Sequence, residues 1–157
     1  RKTLIGDGVV SQFLYDLKTA ALAGAAPTGN GFKRVPIFTS GYKYPPTVSS
    51  STGVFLPGSQ SLQEILGDLD EALLVDMVLG LGQGNVIAGE FSNNVGLGYL
   101  VRRGEVVGRV KDTMIAGNAL ELLRDQLIAL SDSPAWIFGL LHAPAIAVDG
   151  VGVASQA

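Results

Sequence analysis

Leu79-Gly80-Leu81-Gly82-Gln83-Gly84-Asn85-Val86-Ile87-Ala88-Gly89-Glu90-Phe91 is the stretch on which the reading of the chain turns. Three glycines at alternate positions open it, and a fourth follows a short apolar run. Glycine adopts backbone angles closed to other residues, so the segment is expected to turn sharply. The mostly apolar run before it, Glu71 to Leu79, is expected to be a buried strand, and Asn85 to Phe91 a second strand. A phosphate-binding loop would instead open a helix, and no Gly-Lys-Ser/Thr follows here. The glycines therefore point to a turn or bulge that lets another backbone approach closely.

Outward from this centre, Val95 to Val101 and Val106 to Lys111 flank Arg102-Arg103-Gly104-Glu105, the strongest hairpin signal in the chain. Upstream, Ser61-Leu62-Gln63-Glu64 is a capping box and predicts a helix over 62–69. Asp16 to Gly24 is alanine-rich and predicts a short helix stopped by Gly24. Val9 to Tyr15 reads as a strand or an apolar lead into that helix. Ala25 to Lys33 reads as a loop, Arg34 to Pro46 as irregular, and Thr47 to Leu56 as a strand ended by Pro57-Gly58.

Downstream, Asn118 is a candidate cap. Leu120, Leu123, Leu127 and Leu130 form one apolar stripe, which predicts a helix over 119–130. Ala135 to Leu141 and Ala145 to Ala154 read as closing strands, with turns near Pro144 and Asp149-Gly150. The expected fold class is α+β: a strand-rich, mixed, mostly antiparallel sheet with two or three helices, forming a single domain over 1–157.

The chain has 157 residues, of which 47% are hydrophobic and 16% charged. The usual charged share is about 25%, so other chain segments or a partner subunit are expected to cover part of the surface. The net charge of −3 opposes an electrostatic grip on nucleic acid, which needs clustered Lys and Arg. No apolar run approaches the ~18 residues of a membrane span. Without cysteine, disulfides and thiolate metal sites are excluded and the cytoplasm is the expected compartment. The absence of an initial Met suggests the C-terminal piece of a longer protein.

Chemistry-bearing residues are few. Zinc takes three or four ligands from His, Cys, Asp and Glu, and His142 is the one histidine. It is expected in a turn between the closing strands, satisfied by backbone groups. A Ser-His-Asp triad would need the same residue, and no Gly-x-Ser-x-Gly elbow occurs. Asp68, Asp70 and Glu71 read as a solvated corner. Asp76, inside an apolar run, reads as lying on an exposed strand face. Trp136 reads as core or interface.

The central stretch resembles the C-terminal domain of the TldD/PmbA family when taken with Pro27-Thr28-Gly29-Asn30-Gly31 and Thr113-Met114-Ile115-Ala116-Gly117-Asn118. Leu14-Tyr15-Asp16 with Ala20-Ala21, the segment from Pro57-Gly58 to Leu62, and Pro144 with the final strand fall in the same order. Members of this family are sometimes labelled modulators of DNA gyrase. One kind resembles a zinc metalloprotease, with a His-Glu-x-x-x-His motif upstream of this region and a cysteine ligand near the end. The other kind lacks these ligands and pairs with the first to cut unstructured peptides.

This chain resembles the second, TldE-type kind, because cysteine is missing from Ser133 to His142. The resemblance implies no catalytic or metal residue here and no cofactor in this chain, with zinc held by a TldD-type partner subunit. The expected partners are that subunit or a second copy, and an unstructured peptide. Gly82, Gln83, Gly84, Asn85, Gly89 and Phe91 are the candidate peptide-binding residues, since glycine-flanked strand edges can accept an extended peptide. The alternative is a metal-independent scaffold or peptide-binding protein of the same fold, without proteolysis.

Overall fold

A computed structural model describes residues 1–33, 44–82 and 84–155. These residues group into two compact units, one comprising 1–53 and 138–141 and the other 54–137 and 142–157.

In the first unit, β1 (Ile5–Gly6) and β2 (Val9–Val10) pair antiparallel across Asp7-Gly8. Both turn residues have positive φ, 50° and 75°, the geometry of a tight hairpin. Of the segment expected over 9–15 as a strand or an apolar lead into a helix, only β2 is paired strand, and β1 lies upstream of it. Helix α1 (Leu17–Ala23) forms as expected. The Asp16 carboxylate accepts from the Thr19 amide at 2.7 Å and from its hydroxyl at 2.8 Å. Gly24 closes the helix at φ 62°.

The segment expected to be all loop contains β3 (Gly31–Phe32), which pairs with β4 (Thr47–Val48). Asn30 is buried beside it and its amide donates to the Ser49 carbonyl at 3.1 Å. The strand expected over 47–56 is instead two short ones, β4 and β5 (Gly53–Val54). The reading of Arg34 to Pro46 falls almost wholly outside the described residues.

In the second unit, Ser61 caps α2 (Leu62–Gly67), which ends two residues earlier than expected. The Glu64 carboxylate accepts from the Ser61 amide at 2.7 Å and its hydroxyl at 2.8 Å. The main sheet runs β14-β9-β7-β6, with β8 also paired to β7. Its members are β6 (Ala72–Leu79), β7 (Glu90–Arg102), β8 (Glu105–Arg109), β9 (Thr113–Asn118) and β14 (Gly152–Ser155). The expected β7–β8 hairpin forms. Arg103 and Gly104 turn it at φ 48° and 82°, and Arg102 and Glu105 face each other across the pair.

β6 is half-buried and exposed at Asp76, Met77 and Leu79. Thus Asp76 lies on an exposed stretch as expected, but the strand is less buried than its composition suggests. β9 was not foreseen as a strand.

Helix α3 (Ala119–Asp125) stops well short of Leu130. Residues 127–130 form β10, paired antiparallel with β13 (Ile146–Val148). The leucine stripe misled because the helix buries Leu122 (7% exposed) and leaves Leu120 61% exposed. The expected strand over 135–141 divides into β11 (Ala135–Ile137) and β12 (Leu141–Ala143), with Phe138 and Gly139 at positive φ between them. The last expected strand divides into β13 and β14 at Asp149-Gly150. The fold class is thus strand-rich α+β with mostly antiparallel pairing and three short helices among the described residues.

Val101 is 1% exposed, the most enclosed apolar side chain described. Val101→Ala removes two methyl-sized groups from a packed site and is expected to cost about 2 kcal/mol. Val106→Ala, on exposed β8, is expected to cost less than about 0.5 kcal/mol. Urea-unfolding midpoints measure both.

The cap hydrogen bonds from Thr19 hold the Asp16 carboxyl below its ordinary value of 3.8, and those from Ser61 hold Glu64 below 4.5. A depressed folded-state value stabilises the fold above the ordinary value, and that contribution disappears as pH falls through the depressed one. The double variant Asp16→Asn, Glu64→Gln is therefore expected to lose stability less steeply than the parent between about pH 5 and pH 3. Melting temperatures across that range decide it.

Candidate functional site

The expected strand from Asn85 to Phe91 does not form. Residues 86–89 are a turn, and β7 begins at Glu90. Local hydrogen bonding outcompetes the β-branched pair Val86-Ile87. The Asn85 side chain accepts from the Ala88 amide at 3.2 Å, the Gly89 amide donates to the Val86 carbonyl at 3.2 Å, and the Glu90 amide donates to the Asn85 carbonyl at 3.1 Å. Such side-chain-to-backbone bonds are how asparagine favours turns. Val86 and Ile87 are left in solvent, Ile87 at 96% exposure.

Asn118 holds this turn from the far side. Its side-chain oxygen caps α3, accepting from the amides of Leu120 and Glu121 at 2.9 and 3.3 Å. Its side-chain nitrogen donates to the Ala88 carbonyl at 2.9 Å. The Ala119 amide adds a bond to the Gly89 carbonyl at 2.8 Å. Gly89 lies at φ 79°, and a Cβ there would stand 2.8 Å from Leu120 Cγ and 2.9 Å from Asn118 Oδ1. Glycine is required on both counts.

The candidate residues separate into two groups. Gly84 lies at φ 112° and a Cβ there would come within 2.9 Å of the Glu90 carbonyl oxygen. Phe91 is half-buried in β7 opposite Gly117, whose missing side chain admits the Phe91 ring. Gly84, Asn85, Gly89 and Phe91 are thus gathered where the turn enters β7. Gly82 stands apart, with open space where a Cβ would sit. Gln83 lies outside the described residues.

Three features carry no plain signal in the sequence. Asn118 is expected as a cap, and its second bond, to the Ala88 carbonyl, has no sequence signature. A cavity of about 250 Å³ adjoins it, lined by Gly117, Asn118, Glu121, Leu122, Asp125 and Gln126, with Gly150. The spacing of 118, 121 and 125 could have revealed one polar helix face. Asp125 is held below its ordinary value by hydrogen bonding to Arg124, an ion pair of 2.7 Å.

His142 is the third correction. It sits in β12, not in a turn, because the strand expected to end at Leu141 restarts there. Its ring lies 4.8 Å from that of Trp136 at 39°, and its carbonyl accepts from the Phe55 amide at 2.9 Å. Trp136 itself is 62% exposed, so it is no core residue of this chain. Among the described residues no three side chains drawn from His, Cys, Asp and Glu lie together as a metal site would need.

Asn118→Ala removes both the cap and the clip, and is expected to cost about 1–2 kcal/mol. Asn118→Asp keeps the cap and loses the donor to Ala88, so its cost is expected to be smaller. Both variants are expected to speed amide exchange at Gly89 and Glu90. Unchanged exchange in Asn118→Asp would assign the side chain to the helix alone.

Against known proteins, the model of a domain described as the PmbA/TldA metallopeptidase C-terminal domain matches residues 1–155. A Buchnera aphidicola protein named metalloprotease TldD homolog is 25% identical over 121 residues, covering 77% of this chain and 24% of that protein. An uncharacterized Methanocaldococcus jannaschii protein is 28% identical over 127 residues, covering 81% of this chain and 28% of its own length. Among solved structures, TldE from Thermococcus kodakarensis superposes with a TM-score of 0.83 at 29% identity, covering 97% of this chain and 33% of that one. A Thermotoga maritima protein named for modulation of a DNA gyrase gives a TM-score of 0.81 at 32% identity, covering 98% and 32%. The chain therefore spans roughly a quarter to a third of these relatives' length.

Proposed function

This chain belongs to the PmbA/TldA metallopeptidase family, and we propose that it is the C-terminal domain of a non-metal, TldE-type subunit in a peptide-processing zinc metalloprotease. One observation carries the reading: a family named for metal-dependent peptide cleavage is represented here by a chain with one histidine and no cysteine. That histidine, in β12, lies beside Trp136 of β11. The likeness to TldE from Thermococcus kodakarensis supports the assignment of kind.

On this reading the metal belongs to a TldD-type partner, where zinc would activate water and polarise the scissile carbonyl. The residues of this chain have a supporting part. They wall the peptide chamber and hold the partner. The Asn118 clip fixes the turn at Val86 to Gly89, so that exposed Val86 and Ile87 form a fixed apolar surface. Gly82, Gln83, Gly84, Asn85, Gly89 and Phe91 are the residues we assign to the peptide, and of these Gly82 presents backbone with open space beside it. The absence of cysteine fits a cytoplasmic setting, and no described helix is long and apolar enough to cross a membrane. The net charge of −3 gives no electrostatic footprint for DNA.

Tagged protein is expected to co-purify a zinc-bearing partner from its host. An unstructured peptide should be cut by the pair, by neither member alone, and not after chelation. One tightly held zinc per chain, with cleavage by this chain alone, would overturn the assignment. Recovery of a metal-free, inert protein would favour the scaffold reading instead.

A further inference from the structure

We propose that the open edge of β6 binds an extended peptide segment that carries a basic side chain against Asp76. This deepens the peptide-handling reading by naming a second contact surface and the chemistry of its ligand.

β6 is eight residues long and bonded on one side to β7, from Ala72 opposite Val101 to Leu79 opposite Asn94. Among the described residues nothing pairs with its other side. An edge of this length extends about 26 Å and offers a row of free amide and carbonyl groups, which a further strand can pair. In strand addition the main-chain bonds supply affinity and the side-chain contacts supply selectivity.

Asp76 is the sole charged residue between Ala72 and Leu79. The register shows why it stands out. Val75 faces Gly98 and Met77 faces Leu97, which leaves Asp76 as the extra residue of a bulge. The next step, from Met77–Leu97 to Val78–Val95, leaves Gly96 extra on β7. A Cβ on Gly96 would lie 2.8 Å from Met77 Cε, the mobile end of that side chain, so Gly96 sits close against the Met77 and Leu79 side chains. Bulges re-aim a side chain, and they are over-represented at sheet edges and next to active sites.

Arg109 donates to the Gly96 carbonyl at 3.4 Å and makes no ion pair with Asp76 among the described residues. Arg102 pairs with Glu71 at 2.8 Å and Arg103 reaches Asp70 at 3.4 Å, both at the approach to β6. The Asp76 carboxylate is exposed and has no ion pair or hydrogen bond among the described residues. A second copy of β6 offers it no cation, only carboxylate and apolar side chains. Charge complementarity therefore selects a foreign strand with Lys or Arg over self-pairing. An opposite-charge cross-strand pair gives modest selectivity, about two- to fivefold.

The probe is the fluorescein-labelled, C-terminally amidated peptide Thr-Val-Thr-Lys-Thr-Val-Thr, compared with its central Glu analogue and with a form N-methylated at alternate residues. Anisotropy titrations at low salt are expected to show binding of the Lys peptide, two- to fivefold weaker binding of the Glu peptide, and none of the N-methylated form. Asp76→Lys, at an exposed position, is expected to reverse the Lys/Glu preference while leaving the melting temperature within a few degrees. Amide chemical-shift changes should centre on residues 72–79.

No binding of the Lys peptide, an unchanged preference in Asp76→Lys, or shifts confined to other strands would each overturn the proposal. The two readings fail separately. Cleavage by a zinc-bearing complex whose Lys/Glu preference ignores Asp76→Lys leaves the protease assignment standing and removes the β6 site. Preference reversal with no zinc-bearing partner does the opposite.

Discussion

Strand β7 must satisfy three neighbours at once, and the second unit is organised around that demand. Over thirteen residues it pairs with β9 at its start, with β6 through its middle and end, and with β8 at its end. A strand bonded on both sides tolerates little slippage, because a one-residue shift would turn its whole inward set outward. Two buried residues fix it. Val101 is enclosed near the point where β6 and β8 both pair. Asn93, also buried, donates from its side chain to the carbonyls of Leu79 and Gly80 at 3.1 and 2.8 Å. The end of β6 is thereby tied to the start of β7 across the glycine segment between them. That segment can be irregular because both of its ends are held.

The β6–β7 connection illustrates how much of such a site a sequence displays. Its turn character was legible in the glycines, and Gly80, Gly82, Gly84 and Gly89 all have positive φ. Its extent was not. Val86-Ile87 has strong strand propensity, yet the Asn85 and Gly89 bonds close a turn around it, and the decisive clip arrives from Asn118, thirty residues from Ala88. Propensity is a local quantity, and a side-chain bond between distant segments overrides it. The capping boxes at Asp16 and Ser61 and the Arg103-Gly104 hairpin were legible for the converse reason: every bond that defines them lies within four residues.

Helix α3 and His142 were misjudged for a related reason. Leucines at 120, 123, 127 and 130 suit a helical stripe, but Leu127 to Leu130 find backbone partners in β13, nearly twenty residues on. Pairing with a distant strand is invisible to a periodicity argument. His142 was expected in a turn because Pro144 follows it. The chain instead makes its turn earlier, at Phe138-Gly139, where two positive φ values mark the reversal. The donor count was legible throughout, since it needs no geometry. One histidine and no cysteine constrain metal chemistry whatever the fold.

The distribution of apolar surface also limits what this chain does by itself. Among the described residues the buried apolar side chains are Ala20, Ile65, Val101, Leu122 and Ala143, a small set for a sequence this hydrophobic. Trp136, Ile87, Leu81 and Val86 are all more exposed than buried. Burial of a large apolar side chain is worth about 1.5–3 kcal/mol, so these positions hold binding energy that the isolated chain leaves unused. The turn at Val86-Ile87 is closed by directional hydrogen bonds, and its geometry does not depend on burying those two side chains. A surface fixed before association loses little entropy when it is covered. Val86 and Ile87 are thus apolar side chains carried in solvent on a turn whose shape is set by polar bonds.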